Sequence, residues 1–326
     1  MMKKVSILTP CYNGERYLDT YFQSLLNQSF TNCELIFMDD GSTDGTKKLF
    51  DKYKPLLEQS GYDVYYHFHE NMGLGWTIAE GIKYVTGEYL VWPDCDDIMF
   101  ADFISRKLDF LESHKEYGLV RSDGLIVDEN DPENVLRYCS KKNPKRFESD
   151  LFETYLLGDG ENAWLMPLSF MMRMSSFDEA NPKRYIYGTR FGQDWQMLLP
   201  VMKKYPCGYI DEPLFKYVLH AKSLSNIDKD SFDNQIGKQI HYEIIITETL
   251  KAMDLKDHDY WISKVRNRYL GFYIDMCFDF GQKDMIKAYY KEYQSLFGFS
   301  FKYYLKSIIC GNAFFYKVLT HIRNGK

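Results

Sequence analysis

The sequence predicts an α/β protein, a mostly parallel sheet flanked by helices on both faces and followed by a C-terminal helical region. Three observations carry this. Short apolar runs alternate with helical patterns through the first hundred residues, at 4–9, 33–38, 64–68 and 89–92, and strands joined by helical crossovers pair in parallel. Each run stops at turn-forming or acidic residues: Pro10 to Gly14, Asp39 to Ser42, Asn71 to Gly75, and Pro93 to Asp97. From about Asp228 the pattern changes to long helical repeats, at 236–253, 260–280 and 284–297. A boundary near 225/226 is therefore expected.

Composition narrows the class. A chain of 326 residues can hold one large core with an appendage, or two domains. It is rich in aromatics, with 27 Tyr and 23 Phe, and its formal net charge of -6 argues against a general nucleic-acid binder. The 7 cysteines are dispersed and form no Cys-x-x-Cys pair, which suits reduced thiols in a cytosol better than a disulfide framework or a zinc site. The apolar run after Lys4 is too short for a signal peptide, and no uncharged stretch approaches the roughly 20 residues of a spanning helix. The expected location is cytoplasmic.

In chain order, residues 4–9 make a first strand stopped by Pro10, and Leu18, Tyr21, Phe22 and Leu25 recur at helical spacing. Residues 33–38 make the second strand. A helix from about Thr43 follows, with Leu49, Phe50, Tyr53 and Leu57 on one face. Val64–Phe68 is the third strand, the next helix runs to about Val85, and Tyr89–Trp92 is the fourth strand. Phe100–Ser113 reads as a helix, 118–121 and 125–127 as a strand pair, and Glu129–Pro144 as a polar, loop-like insert. Residues 163–177 are crowded with Trp, Met and Phe, a composition that serves core packing.

In such sheets ligands sit beyond the carboxyl ends of the strands. Topology thus gathers Pro10, Tyr12, Asn13, Asp39, Asp40, Asn71, Asp94, Asp96 and Asp97 on one edge. Three carboxylates within four residues repel one another unless a cation arrives, and hard oxygen ligands suit Mg²⁺ or Mn²⁺. Taken alone, Asp94 to Asp97 reads equally as an acidic turn capping the helix after Phe100; the company of the other strand ends favours the metal–nucleotide reading. Two rivals fail on single residues. Met38 stands where the phosphatase loop of the haloacid dehalogenase type needs an Asp. Ile78 is too bulky for the third small position of a dinucleotide fingerprint starting at Gly73.

Four segments, 5–13, 34–44, 71–73 and 87–97, in this order and spacing, resemble a family 2 glycosyltransferase of the GT-A fold, and the resemblance covers roughly residues 1–220. It implies transfer of a sugar from a nucleoside diphosphate donor, by default a UDP-sugar, to an acceptor hydroxyl, with Mn²⁺ or Mg²⁺ as cofactor. Residues 1–100 would bind the nucleotide-sugar and 101–225 the acceptor. Pro10 and Tyr12 would line the nucleobase pocket. Asp40, or alternatively Asp39, would bond the base, and Asn71 would lie near base and ribose. Asp94 would sit near the ribose and Asp96 on the metal. The chain departs from the family at Thr77-Ile78-Ala79, where relatives often carry Ala-Arg-Asn, so a basic residue near the nucleotide is missing.

Asp194 follows a glycine turn and starts an apolar helix. A helix-start Asp is favoured by the dipole; the resemblance makes it the catalytic base that takes the acceptor's proton, and a single displacement of this kind inverts the anomeric centre. His220 is a candidate metal or diphosphate ligand, or a satisfied structural histidine, with Ser223 and Ser225 as further hydroxyls. The segment 296–326 holds no Asp or Glu, and its lysines and arginine alternate with aromatics. It reads either as a basic amphipathic element on an anionic membrane surface or as a packed helix, split near Gly311. The resemblance suggests a saccharide or lipid-linked saccharide acceptor in surface-polysaccharide assembly, at the inner membrane face. A catalytically silent nucleotide-sugar binder is the competing class.

Overall fold

Val5–Cys11 form the first strand, β1, and every one of its residues is buried. A strand covered on both faces needs no polar alternation, so it appears in the sequence as a mainly apolar run, broken only by Ser6 and Thr9, which are buried and hydrogen-bonded to Glu34 and Tyr21. On one side β1 pairs in parallel with β2 (Cys33–Asp40), which pairs in parallel with β3 (Asp63–His69); on the other it pairs in parallel with β4 (Tyr89–Val91). The crossovers are α1 (Glu15–Leu26), α2 (Thr46–Gln59) and α3 (Leu74–Gly81), the last followed by a 3-10 turn at Ile82–Tyr84. Between sheet and helices, Phe22 packs on Tyr53 with ring centroids 5.1 Å apart, and Phe37 packs on Phe50 at 5.1 Å. Truncating such a fully buried ring to alanine costs about 3–5 kcal/mol. The computed structural model describes residues 4–158, 162–190, 192, 194–220 and 231–311.

Beyond β4 the sheet becomes mixed. β8 (Phe170–Arg173) runs antiparallel to β4, β6 (Leu119–Asp128) antiparallel to β8, and β9 (Cys207–Leu219) parallel to β6; β5 (Ile98–Met99) closes this side against β9. The order is β3-β2-β1-β4-β8-β6-β9-β5, with β7 (Asp131–Tyr138) paired to β6. Helices α4 (Phe103–Ser113), α5 (Phe152–Leu157), α6 (Met174–Ala180) and α7 (Asp194–Lys204) complete this part. The methionine-rich stretch is core: Trp164, Phe170, Met171, Met172 and Met174 are all buried.

Two sequence expectations need correction, and one strand was not anticipated. The polar stretch 129–144 is not all loop, because β7 occupies half of it; its residues are largely exposed, so backbone pairing to β6 and the ion pair of Glu133 with Lys216 hold it and no apolar alternation marks it. The strand pair 118–121 and 125–127 is one strand, β6, whose apolar pattern is interrupted by Ser122, Asp123 and Gly124. A Cβ there would lie 2.3 Å from the Phe215 ring, so the glycine gives that ring its place. β9 carried no signal, since Asp211, Glu212 and Pro213 break the pattern where its register against β6 shifts.

The chain divides into two compact units, Met1–Ala221 and Lys222–Lys326. The second is helical: α8 (Phe232–Ala252), α9 (His258–Asp279), α10 (Lys283–Phe297) and α11 (Phe301–Gly311). Arg266 of α9 joins α8 and α10 through Glu243 and Glu292. α11 packs within this unit, with Cys310 fully buried and Lys302 and Lys306 paired to Asp275. Its Phe301, Tyr304, Leu305 and Ile308 are exposed. No helix among the described residues is long and apolar enough to cross a membrane. The expected second helix of the tail lies outside the described residues.

Candidate active site at the carboxyl edge of the sheet

The tips of β1 and β2 are locked together by reciprocal hydrogen bonds. Asn13, at φ 51°, donates its backbone N–H to Ser42 Oγ at 2.9 Å, and its Oδ1 accepts the Thr43 N–H at 2.8 Å. Gly14 and Glu15 donate to Thr46 Oγ1 and Asp44, while Gly45 donates back to Glu15 Oε2. Each loop thus serves unpaired N–H groups at the start of the other's helix. Tyr12 projects from this locked tip and is 52% exposed, whereas Pro10 is buried within β1 opposite Met38.

Asp39 and Asp40 are committed to the scaffold. Asp39 accepts the Ser42 N–H at 2.8 Å and the Tyr66 hydroxyl at 2.6 Å. Asp40 accepts the Met72 and Gly73 N–H groups at 2.7 and 2.9 Å, and the Asn71 side-chain amide contacts it as well. Both are nearly inaccessible, so Asp40 fixes the loop that starts α3. Asn71 in turn receives the Arg190 guanidinium on its Oδ1 at 2.7 Å. Ile78 faces the core. A guanidinium thus reaches this corner of the edge from a loop more than a hundred residues later.

Below the tip of β4, Asp94, Asp96 and Asp97 offer oxygens that all lie within 4.8 Å of one another. Burial, then the charges of Asp96 and Asp194, pushes the Asp94 carboxyl well above the usual range. Burial, then Asp96 and Asp94, does the same to Asp97. Asp97 accepts the Val218 N–H at 3.0 Å through Oδ1, while its buried Oδ2 has no partner among the described residues. His220 Nε2 lies 2.7 Å from Asp96 Oδ2, and its Nδ1 is 3.2 Å from the Tyr17 hydroxyl. The bond to Asp96 raises the histidine's pKa against the lowering effect of burial. Crowded carboxylates held above their ordinary range, an orphaned buried oxygen and an imidazole form a donor set that fits Mg²⁺ or, with nitrogen included, Mn²⁺.

Asp194, at the start of α7, comes to this cluster through Trp92, whose indole N–H lies 3.5 Å from Asp194 Oδ1. Burial pushes its carboxyl up to about 7, against a lowering by that indole bond. The loop before it is held by Gln196, which accepts the Tyr187 N–H and donates to the Tyr187 and Gly192 carbonyls. A carboxylate with a pKa near neutrality, adjacent to a candidate metal site, is equipped to accept a proton.

Comparison with known proteins settles the class. The sequence profile described as "Glycosyl transferase family 2" matches residues 6–179, more than half of the chain. The chain belongs to this family. Among curated relatives, the putative glycosyltransferase EpsE of Bacillus subtilis is 34% identical over 39% of this chain and 45% of its own length. The putative teichuronic acid biosynthesis glycosyltransferase TuaG of the same organism is 31% identical over 43% of this chain and 57% of its own length. The chain thus spans about half the length of these relatives. Solved structures of Staphylococcus aureus TarS 1-349, alone and in complex with UDP-GlcNAc, superpose with a TM-score of 0.62, at 17% and 18% identity, over 99% of this chain and 92% of theirs. That likeness shows the GT-A fold, α/β with a mostly parallel central sheet.

For this family 2 chain, the structure brings Tyr12, Asp39, Asp40, Asn71, Asp94, Asp96, Asp194 and His220 to one edge. Trp92, Tyr17 and Arg190 were not singled out from sequence, and Asp97 was placed on the acidic edge without a ligand role of its own. Asp97 was visible as the third acid of its run. Trp92 looked like one more core aromatic, and nothing near Arg190 in the sequence marks it. Ser223 and Ser225 lie outside the described residues.

Proposed function

We propose that the protein is a metal-dependent, inverting glycosyltransferase that moves a sugar from a UDP-sugar to an acceptor hydroxyl. The observation that carries this is the meeting of two acidic elements a hundred residues apart in sequence: Asp94, Asp96 and Asp97 below β4, and Asp194 held at Trp92. Asp96 and His220 would hold the cation, with Asp97 able to supply a further oxygen, and Mn²⁺ or Mg²⁺ bound there would supply positive charge against the donor's diphosphate. Asp94 faces the donor's ribose. Tyr12 offers its exposed ring to the base, above the floor made by Pro10, and Asn71 bonds the nucleoside end. Asp194 removes the acceptor's proton as the hydroxyl attacks the anomeric carbon, and with no second carboxylate forming a covalent intermediate the configuration inverts.

Two kinds of relative support the donor and acceptor classes. TarS binds UDP-GlcNAc, and TuaG is named for teichuronic acid biosynthesis. The acceptor class we favour is a saccharide, free or lipid-linked, of a surface polysaccharide. The first experiment is a thermal-shift series against nucleotide-sugars with and without Mn²⁺. A UDP-sugar at a hundred times its Kd should add about 2.7 kcal/mol to the apparent stability, and chelation should remove the shift. If no nucleoside diphosphate or nucleotide-sugar raises the midpoint, the reading fails.

A further inference from the structure

We infer that Arg190 is a specificity-determining residue that donates hydrogen bonds to a carbonyl oxygen on the pairing edge of the donor's base. The inference deepens the UDP-sugar reading above and rests on it. Arg190 belongs to the segment leading into α7, yet it is seated on the far corner of the sheet edge, where its guanidinium donates to Asn71 Oδ1 at 2.7 Å.

That seating is built into the backbone. Gly73 and Gly75 let the segment approach: a Cβ on Gly73 would lie 2.6 Å from the Arg190 Cα, and one on Gly75 2.7 Å from the Thr189 carbonyl oxygen. Gly73 has a φ of 97°, a conformation that side chains oppose as well. The Trp76 N–H donates to the Thr189 carbonyl at 3.2 Å, and the Trp76 indole fills the space where Gly188 lacks a side chain. Gln196 clasps the same segment at Tyr187 and Gly192. Arg190 is thus seated beside Asn71 by the bonds of its neighbours, while its side chain remains exposed.

Position along the edge decides what it meets. The sheet order β3-β2-β1-β4 places Asn71, which follows β3 and bonds Asp40 at the tip of β2, two to three strand spacings from the acidic cluster past β4, about 10–14 Å. Tyr12 rises from the strand tip between them. A nucleotide whose phosphates meet the cluster and whose base lies on Tyr12 therefore points the far edge of that base at Asn71 and Arg190. A guanidinium carries only donors. It pairs with the O4 of uracil and leaves the exocyclic amine of cytosine facing another donor, which costs affinity when both are desolvated.

The test measures Kd for UDP and CDP with Mn²⁺, by calorimetry, on the wild-type chain and on Arg190→Ala and Arg190→Lys. UDP and CDP are nearly the same size, so they isolate the edge. The expected result is a wild-type preference for UDP. Arg190→Ala should weaken UDP about tenfold and CDP less than twofold, with an unchanged unfolding midpoint, and Arg190→Lys should fall between. Equal weakening of both nucleotides or an unchanged UDP affinity overturns the inference and leaves the donor reading standing, whereas a wild type that prefers CDP overturns the UDP-sugar reading with it. A wild type that binds neither nucleotide overturns both.

Discussion

Replacing Asp194 by asparagine should remove catalysis and make the protein more stable, in a pH-dependent manner. The carboxyl sits at about 7 in the folded protein against an ordinary 3.8, and burial is the cause. A raised carboxyl pKa means that the unfolded chain ionises first as pH rises. Below about 3.8 both states are protonated and no cost arises. Between there and about 7 folding loses stability progressively, and above 7 the loss is complete. The full gap corresponds to at most about 4 kcal/mol. Because Asp194 keeps part of its surface in solvent, we discount this to about 2 kcal/mol. Asparagine keeps an oxygen to accept the Trp92 indole N–H and carries no charge. Thermal unfolding from pH 4 to 9 should therefore show Asp194→Asn level with wild type at the acid end and about 4–8 °C above it past pH 8. Transfer should fall by about 10²–10⁴ with donor affinity retained, and wild-type transfer should show an acid limb near pH 7. A variant no more stable than wild type at pH 8, or one that transfers within tenfold of it, would refute the reasoning.

Further expectations concern the rest of the edge and the tail. Asp96→Ala should abolish the Mn²⁺ dependence of donor binding, measured by calorimetry with and without chelator; an unaltered metal response would place the ligand elsewhere. Asp40→Ala removes the buried carboxylate to which the Met72 and Gly73 N–H groups of a part-exposed loop are bonded. It should therefore destabilise by about 2–4 kcal/mol, seen as a lower unfolding midpoint; a loss of donor affinity at constant midpoint would instead assign Asp40 to the base. Deleting 297–326 should cause aggregation, because Cys310 and Ser307 of α11 are buried in the helical unit. Liposome flotation of the chain with and without residues 312–326 then asks the membrane question directly.

Much of the first hundred residues was legible because its physics is local. β1, β2 and β4 are buried on both faces, so each reads as an apolar run, and each crossover helix shows its own periodicity. The helical tail repeats were legible for the same reason. β7 and β9 were not. One is an exposed strand held by backbone pairing, and the other crosses a register shift at charged residues and a proline. The role of Asp40 was obscured differently: an acid at a strand tip looks alike in sequence whether it faces a ligand or ties down a loop.

The sequence by itself determined the α/β class, the family, and an acidic edge assembled from strand ends, because strand topology places those ends together whatever the loops do. Only the tertiary structure decided which residues act on one another across that edge. His220 lies on Asp96, Asp97 keeps an unpaired oxygen beside them, Trp92 holds Asp194, and Arg190 reaches Asn71 over Gly73 and Gly75. These pairings span roughly a hundred residues or more of chain, and no local propensity encodes them; they follow from how β9, α7 and the segment before it dock against the first four strands.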